Sequence, residues 1–205
     1  MMLAFVRHGQ TRANRSGLLQ GRTDLPLTDL GRSQGRRLAA ALASERPVRV
    51  LTSPLQRARE TATSIATAVD IDVEVDDRLI ELDYGEWEQR PYLEVGGEEW
   101  ARWRSDRDFA PPGGESLRSV TERVASFCTE QLATSAADHL VVAVSHVSPI
   151  KAAALWALDV GETTAFRMYL ELASITRVAA RPGGVALVSF NEVAHLRNDD
   201  APTGT

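Results

Sequence analysis

Residues 3–9 have the sequence LAFVRHG, four apolar residues followed by an arginine, a histidine and a glycine. An apolar run of this length predicts a short strand buried on both faces, which is typical of α/β sheets. The pattern recurs where Val48–Leu51 leads into Ser53–Arg57 and where Leu140–Val144 leads into Ser145-His146. Ligands of open α/β sheets bind beyond the carboxyl ends of the strands. We therefore expect two histidines and two arginines to meet at one edge of a sheet.

Helices are predicted in the segments that separate these strands. Thr28 is a favourable N-cap residue for a helix that runs to about Ser44, and Ser116 has the same role for a later helix. Pro54 predicts the first turn of a helix directly after the second strand, because proline is tolerated in that turn. A further helix is expected from about Pro149.

The remaining segments complete the expected fold. Residues 71–75 alternate apolar and acidic side chains, which predicts a half-exposed strand, and residues 172–190 predict a hairpin. Residues 81–114 are expected to be irregular. Strands alternating with helices predict one α/β domain over residues 1–197, a three-layer α/β/α sandwich with a mostly parallel central sheet and a short cap insertion. Residues 198–205 are predicted to be a disordered tail.

Composition and charge argue against several classes of protein. The net charge of -5 and the pI near 5.4 argue against a nucleic-acid partner, which requires a basic patch. Cys128 is the only cysteine, so neither an intrachain disulfide nor a thiolate metal site is expected. The apolar run of Leu3–Val6 is too short for a signal peptide and no later stretch reaches transmembrane length, so we expect a cytoplasmic protein without a membrane partner. The scarcity of lysine beside many arginines and alanines indicates a GC-rich bacterial genome.

The basic residues indicate how an anion would be held. Lys151 is the only lysine among 23 basic residues, so arginine is expected to make most contacts to an anion. The planar guanidinium group matches the oxygens of a phosphoryl group. A neutral imidazole beside it is a competent nucleophile for phosphorus, and neighbouring positive charge disfavours its protonation. The strand ends therefore predict a site for phosphoryl chemistry.

An ordered series of short motifs extends over most of the chain. They are Val6–Thr11 followed by Asn14, Gln20-Gly21, Ser53–Ala58, Glu81–Trp87, Pro112–Ser116 and Val144–His146. In order and spacing they resemble the histidine phosphatases, also called the phosphoglycerate-mutase-like superfamily, over about residues 3–190.

The resemblance implies a phosphatase that works through a phosphohistidine intermediate, with no metal and no cofactor. His8 matches the residue that the family phosphorylates, and Glu81 aligns with the family's proton donor. Arg7, Arg57 and His146 match the catalytic residues that hold the phosphoryl group. The implied partner is a small phosphorylated metabolite.

Four further residues complete the predicted phosphate- and substrate-binding set: Asn14, Gln20, Gly21 and Val147. Gly21 has an equally good interpretation as a turn former. Val147 stands where the family usually has glycine, and Gln89 also departs from the common pattern. Neither departure removes a catalytic group, but both affect the expected shape of the part of the pocket that binds the substrate.

Other interpretations stay open at this point. Asp83 and Glu86 lie close to Glu81 and compete with it for the role of acid. A phosphoglycerate mutase is one alternative, because it forms the same phosphohistidine. Only 65 positions separate Glu81 from His146, however, and this short spacing predicts a short cap, which favours hydrolysis. A catalytically silent phosphate-binding module is a third possibility, and a metal-binding protein is a weaker one, because two histidines without a third ligand do not make a zinc site. The identity of the phosphoester and the presence of a homodimer are left open.

Overall fold

The computed structural model describes residues 1–136 and 138–197. Within them one sheet is formed by β1 (Met2–Arg7), β2 (Arg49–Thr52), β3 (Val73–Val75), β4 (Leu140–Ser145), β5 (Ile175–Arg181) and β6 (Gly184–Glu192). Their order across the sheet is β3-β2-β4-β1-β5-β6. Strands β3, β2, β4 and β1 are parallel to one another. Strands β5 and β6 form a hairpin that adds to β1 in the antiparallel direction at one edge. The mostly parallel sheet is as predicted, whereas the predicted tail 198–205 lies outside the described residues.

Helices cover both faces of this sheet. In the described part of the chain they are α1 (Arg12–Arg15), α2 (Asp29–Ala43), α3 (Gln56–Val69), α4 (Gly97–Ser105), α5 (Leu117–Thr134) and α6 (Val147–Leu158). α2 packs with α3, and α5 packs with α6. As predicted, Thr28 and Ser116 cap α2 and α5 by accepting hydrogen bonds from backbone N–H groups. No helix among the described residues combines the length and apolarity needed to cross a bilayer.

The central strand β1 divides its side chains between two cores. Leu3 and Phe5 pack with α5 and α6, while Ala4 and Val6 pack with α2 and α3. All four side chains are fully buried. This alternation follows from the period of two residues along a strand, and it explains why the run is apolar at every position. The predicted three-layer α/β/α arrangement is confirmed.

The expectation of an irregular segment over residues 81–114 is wrong for its second half. Residues 97–105 form α4, and short 3-10 turns precede it at Gly85–Trp87 and Tyr92–Glu94. Glu98 and Glu99 lie in the first turn of α4, where negative charge interacts favourably with the helix dipole. The sequence pattern missed α4 because the helix owes its stability to tryptophans that pack against distant residues.

Two other helices begin at different residues from those expected. α3 begins at Gln56 rather than in the turn of Pro54, because Leu55 is extended and the Gln56 N–H donates to Asp24 Oδ1, at 2.7 Å. α6 begins at Val147, two residues before Pro149. The loop after β1 contains the single helical turn α1.

His139 and His195, the two histidines outside the motifs, are both partly buried. The Nε2 atom of His195 lies 2.9 Å from the carbonyl oxygen of Ala173. Burial lowers the pKa of His195 below its ordinary value. Neither histidine is part of the site described below.

Candidate active site

Two neighbouring parallel strands bring the two motif histidines together. β1 and β4 pair in register so that Arg7 lies opposite Ser145, and His8 and His146 follow directly. The His8 N–H donates to the Ser145 carbonyl oxygen at 3.0 Å. The ring centroids of His8 and His146 are 5.0 Å apart, with an interplanar angle of 57°. The juxtaposition predicted from the strand ends is therefore present.

His8 is held as a neutral imidazole with one free nitrogen. Its Nδ1 atom lies 2.7 Å from the carbonyl oxygen of Gly9, and because a carbonyl only accepts, Nδ1 carries the hydrogen. The Nε2 atom of the neutral ring then has an available lone pair. Burial, with the charges of Arg57 and Arg7, lowers the pKa of His8 well below 6.5. The ring has the protonation state and tautomer that a nitrogen nucleophile needs.

Arg57 lies fully buried beside these rings and is fixed by three hydrogen bonds. It donates to the carbonyl oxygens of Gly21 (2.6 Å) and Thr23 (2.9 Å), and its Nε donates to His146 Nδ1 (3.2 Å). Burial lowers its pKa to about 10, so it stays charged at neutral pH. A Cβ atom on Gly21 would lie 2.5 Å from the Leu82 carbonyl oxygen, so the anchoring carbonyl depends on this glycine.

His146 uses both ring nitrogens within the protein. Because Arg57 Nε can only donate, His146 Nδ1 accepts, and Nε2 then donates to Ser53 Oγ at 2.7 Å. Burial, followed by the charge of Arg57, lowers the pKa of His146 well below 6.5. In this arrangement His146 orients Arg57. Its direct contact with a phosphoryl oxygen stays a prediction and requires exchange of the Ser53 hydrogen bond.

Arg7 supplies a second guanidinium group with donor capacity to spare. One terminal nitrogen donates to the Leu170 carbonyl oxygen at 2.6 Å. Its buried Nε makes no hydrogen bond within residues 1–136 and 138–197. Burial is the main cause that lowers the pKa of Arg7. A buried donor without an acceptor is costly in an interior, so it favours binding of an oxyanion.

Glu81 is the acidic residue that the fold brings to this edge of the sheet. Its side chain is 3% exposed. Its oxygens accept from the backbone N–H groups of Val147 (3.0 Å) and Ser148 (3.1 Å), at the N-terminus of α6, and from that of Leu82. A helix N-terminus favours a carboxylate.

The two competing carboxylates lie elsewhere. Asp83 pairs with Arg22, and Glu86 is exposed. Glu81 is thus the one of the three that combines burial with a place beside Arg7 and Arg57, whose charges it stabilises.

The other predicted binding residues shape the loop after β1. The Asn14 Oδ1 atom accepts from the N–H and hydroxyl groups of Thr11, and no hydrogen bond of its amide nitrogen occurs among the described residues. Gln20 accepts from Thr11 Oγ1 at 2.6 Å and donates to the Thr23 carbonyl oxygen at 3.3 Å. Val147 contributes its N–H to Glu81. Asn14 therefore keeps a donor for a ligand, whereas Gln20 is occupied in holding the loop.

Three further residues support the site and are not predicted by the sequence patterns. Ser53 accepts from His146, and Thr61 Oγ1 accepts from the Gly9 N–H at 3.2 Å while donating to the Arg57 carbonyl oxygen. Glu88 accepts from the Arg22 N–H at 2.6 Å and from Thr23, on the loop that anchors Arg57. Ser53 and Thr61 stand within or next to a motif, but no local signal singles out Glu88.

A cavity of about 180 Å³ opens beside Glu81. Val147 and Ser148, whose N–H groups hold the Glu81 carboxylate, form part of its wall. The tryptophans of this region have two roles: Trp87 packs in the core, while Trp100 and Trp103 line the cavity. Its other lining residues are Tyr84, Leu117, Val120, Thr121, Lys151, Ala152, Leu155, Glu162, Ala165 and Phe166.

Known proteins resemble this chain over almost its full length. A model of the histidine phosphatase superfamily (branch 1) matches residues 3–193. The bifunctional protein Rv2228c of Mycobacterium tuberculosis is 37% identical over 199 residues, which cover 95% of this chain and 54% of that protein. The chain thus spans about half the length of the first curated relatives it matches.

Two further relatives match over nearly their whole length. A glucosyl-3-phosphoglycerate phosphatase of Mycolicibacterium vanbaalenii is 36% identical over 218 residues, covering 96% of this chain and 97% of that one. The structure of phosphoserine phosphatase from Entamoeba histolytica in complex with 3-phosphoglyceric acid has a TM-score of 0.88 at 30% identity, covering 96% and 99% of the two chains.

Proposed function

The chain belongs to the histidine phosphatase superfamily, and from that premise we propose that it hydrolyses phosphomonoesters of small metabolites with His8 as the nucleophile. One observation carries this proposal. His8 is a neutral imidazole with a free Nε2 lone pair, and two buried guanidinium groups lie beside it. Relatives named as phosphatases of small phosphorylated metabolites support it.

The first step transfers the phosphoryl group to the enzyme. His8 Nε2 attacks phosphorus in line, so that the N–P bond forms as the bond from phosphorus to the ester oxygen breaks. Arg7 and Arg57 hold the equatorial oxygens, where negative charge spreads in the transition state. This step requires a proton on Glu81, whose N–H partners in the free enzyme favour the carboxylate, so protonation must precede it. Glu81 then gives the proton to the leaving alkoxide, which is a poor leaving group without it.

The second step regenerates the free enzyme. Glu81, now a carboxylate, takes a proton from a water molecule that attacks the phosphohistidine. The N–P bond breaks, inorganic phosphate is released with its negative charge on Arg7 and Arg57, and His8 returns to its neutral form. The hydrogen bond from His8 Nδ1 to Gly9 keeps the same tautomer through both steps.

The proposed chemistry uses neither a metal nor a cofactor. The guanidinium groups provide the positive charge for the phosphoryl oxygens, with Asn14 as a further donor. His146 positions Arg57 through the Nε–Nδ1 hydrogen bond. A cytoplasmic bacterial location stays a prediction from the sequence.

The test is phosphate release in the presence of EDTA from p-nitrophenyl phosphate and a panel that includes phosphoserine and glucosyl-3-phosphoglycerate. Wild type is compared with His8→Ala and with the control His139→Ala, outside the site. We expect turnover that survives EDTA, vanishes in His8→Ala and persists in the control. Phosphoryl exchange between phosphoglycerates without release would make the protein a mutase. Failure of both assays would leave a phosphate-binding module.

A further inference from the structure

The wall of the cavity near Glu81 contains one ammonium group that makes no ion pair within the described residues. This group belongs to Lys151, the only lysine of the chain, which lies one turn after Val147. Its Nζ donates to the Ala165 carbonyl oxygen at 2.9 Å, and the charge of Glu81 acts on it from a distance. The other charged lining residue, Glu162, is paired with Arg107 at 3.0 Å. Lys151 therefore has donor hydrogens that no carboxylate in the described part of the chain contacts.

The walls around Lys151 are otherwise mostly apolar and aromatic. Trp100 and Phe166 contact Trp103, with ring centroids 5.0 Å and 4.9 Å from it. Burial in these surroundings lowers the pKa of Lys151 to about 8. A partly buried ammonium group among apolar side chains loses hydration that one carbonyl oxygen does not replace. An anion bound beside the Lys151 ammonium group would replace this lost hydration and stabilise its charge.

A second unused donor lies in the same wall. Trp103 is 4% exposed, and its Nε1–H makes no hydrogen bond within residues 1–136 and 138–197. An indole N–H can only donate, as can an ammonium group. Lys151 thus has donor hydrogens without acceptors in a mostly apolar cavity, and the oxygens of a bound acid would accept them. The buried Trp103 N–H, likewise without a partner among the described residues, is a second donor in the same wall.

Building on the proposed function, we infer that Lys151 is a specificity-determining residue that binds a carboxylate on the leaving alcohol of the substrate. The position of the cavity supports this, since its wall includes the two residues whose N–H groups hold the proton donor Glu81. In the proposed geometry, an ester oxygen protonated by Glu81 would place the rest of the alcohol on the side of Val147 and Ser148, where the cavity lies.

Charge and size favour a carboxylate over a second phosphate group. One ammonium group neutralises one negative charge, whereas a phosphate monoester carries nearly two at pH 7. The cavity volume of about 180 Å³ exceeds the roughly 150 Å³ that holds a benzene ring. The substrate class is therefore the phosphomonoester of a small hydroxy acid, with a body of a few carbon atoms or one ring.

The test compares esters that differ by one charge. The probes are 3- and 4-carboxyphenyl phosphate and the two corresponding carboxamides, which are similar in shape and uncharged beyond the phosphate. The measured quantity is the ratio of kcat/KM for acid over amide, in wild type, Lys151→Met and the control Arg36→Met. Arg36 is an exposed cation on α2, outside the cavity, so its loss changes the net charge equally.

We expect the acid-over-amide ratio to fall about tenfold or more in Lys151→Met, as a charge-assisted hydrogen bond predicts. In Arg36→Met the ratio should hold within about twofold, because exposed charges are screened. An unchanged ratio in a folded Lys151→Met protein overturns the inference, as does an equal loss on both esters, which would make Lys151 a residue that positions Glu81. A wild type that prefers the amides overturns it without any variant. In all three cases phosphate release from the amides leaves the proposed function standing, whereas no release from any ester refutes that function itself.

Discussion

Lowering the pH from 7.5 to 5 should destabilise the fold through the two histidines of the site. His8 and His146 are 3% and 0% exposed, and burial beside Arg57 and Arg7 holds both pKa values well below 6.5. In the unfolded chain each imidazole binds a proton below about pH 6.5. The unfolded state therefore binds more protons than the folded state, so stability falls as the pH drops through 6.5 towards the folded pKa values.

The size of the effect follows from the number of buried rings. A histidine that stays neutral in the fold costs about 1.4 kcal/mol per pH unit once the pH is below its unfolded pKa, or about 2 kcal/mol by pH 5. His8 and His146 together should lower the free energy of unfolding by about 4 kcal/mol between pH 7.5 and 5. Paired carboxylates such as Glu74 and Asp76, whose pKa values are lowered, lose their contribution only at lower pH.

Urea unfolding, followed by tryptophan fluorescence at several pH values in phosphate-free buffer, measures this loss. His8→Asn should reduce it to about 2 kcal/mol, because one buried imidazole is gone. The control Thr61→Val removes two hydrogen bonds of the site but no titrating group, so it should lower stability at every pH and keep the full loss of about 4 kcal/mol. Partly buried His195 contributes equally to all three proteins. The same pH dependence in wild type and His8→Asn would refute the reasoning.

Three further substitutions test other parts of the structure. Glu81→Gln should lower kcat for alkyl phosphates by about 10²–10⁴ and for p-nitrophenyl phosphate much less, because only the poor leaving group needs the acid; equal losses in steady-state assays would contradict that role. Gly21→Ala places a Cβ atom 2.5 Å from the Leu82 carbonyl oxygen and should lower kcat/KM about tenfold or more by displacing the carbonyl that anchors Arg57; wild-type kinetics would show that this anchor is dispensable. Trp103→Ala should lower the free energy of unfolding by about 3–5 kcal/mol, measured in urea, since the ring contacts four other aromatic side chains; a loss below about 1 kcal/mol would mean that the cap stabilises the fold little.

The strand ends could be predicted because local pattern alone determines them. Leu3–Val6 and Leu140–Val144 are apolar at every position, and parallel pairing in register then brings His8 beside His146. Arg57 follows from the same logic, one short loop beyond β2. Nothing beyond periodicity and the rule for parallel sheets is needed at this edge.

The cap and its cavity could not be predicted, because they depend on contacts between distant segments. Trp100 and Trp103 lie on α4, Phe166 on a 3-10 turn and Lys151 on α6, and no local pattern relates them. The tautomer of His146 is equally non-local, because it is determined by the hydrogen bond that Arg57 donates.

The central claim, a phosphoryl group carried on His8, is tested most directly by trapping it. Wild type is mixed with a ³²P-labelled phosphomonoester that it hydrolyses, quenched in alkali within milliseconds, digested and analysed by mass spectrometry. We predict a base-stable, acid-labile label on the peptide containing His8, formed and lost fast enough to account for turnover with EDTA present. Turnover without a labelled protein, or a label on any other residue, would contradict the account.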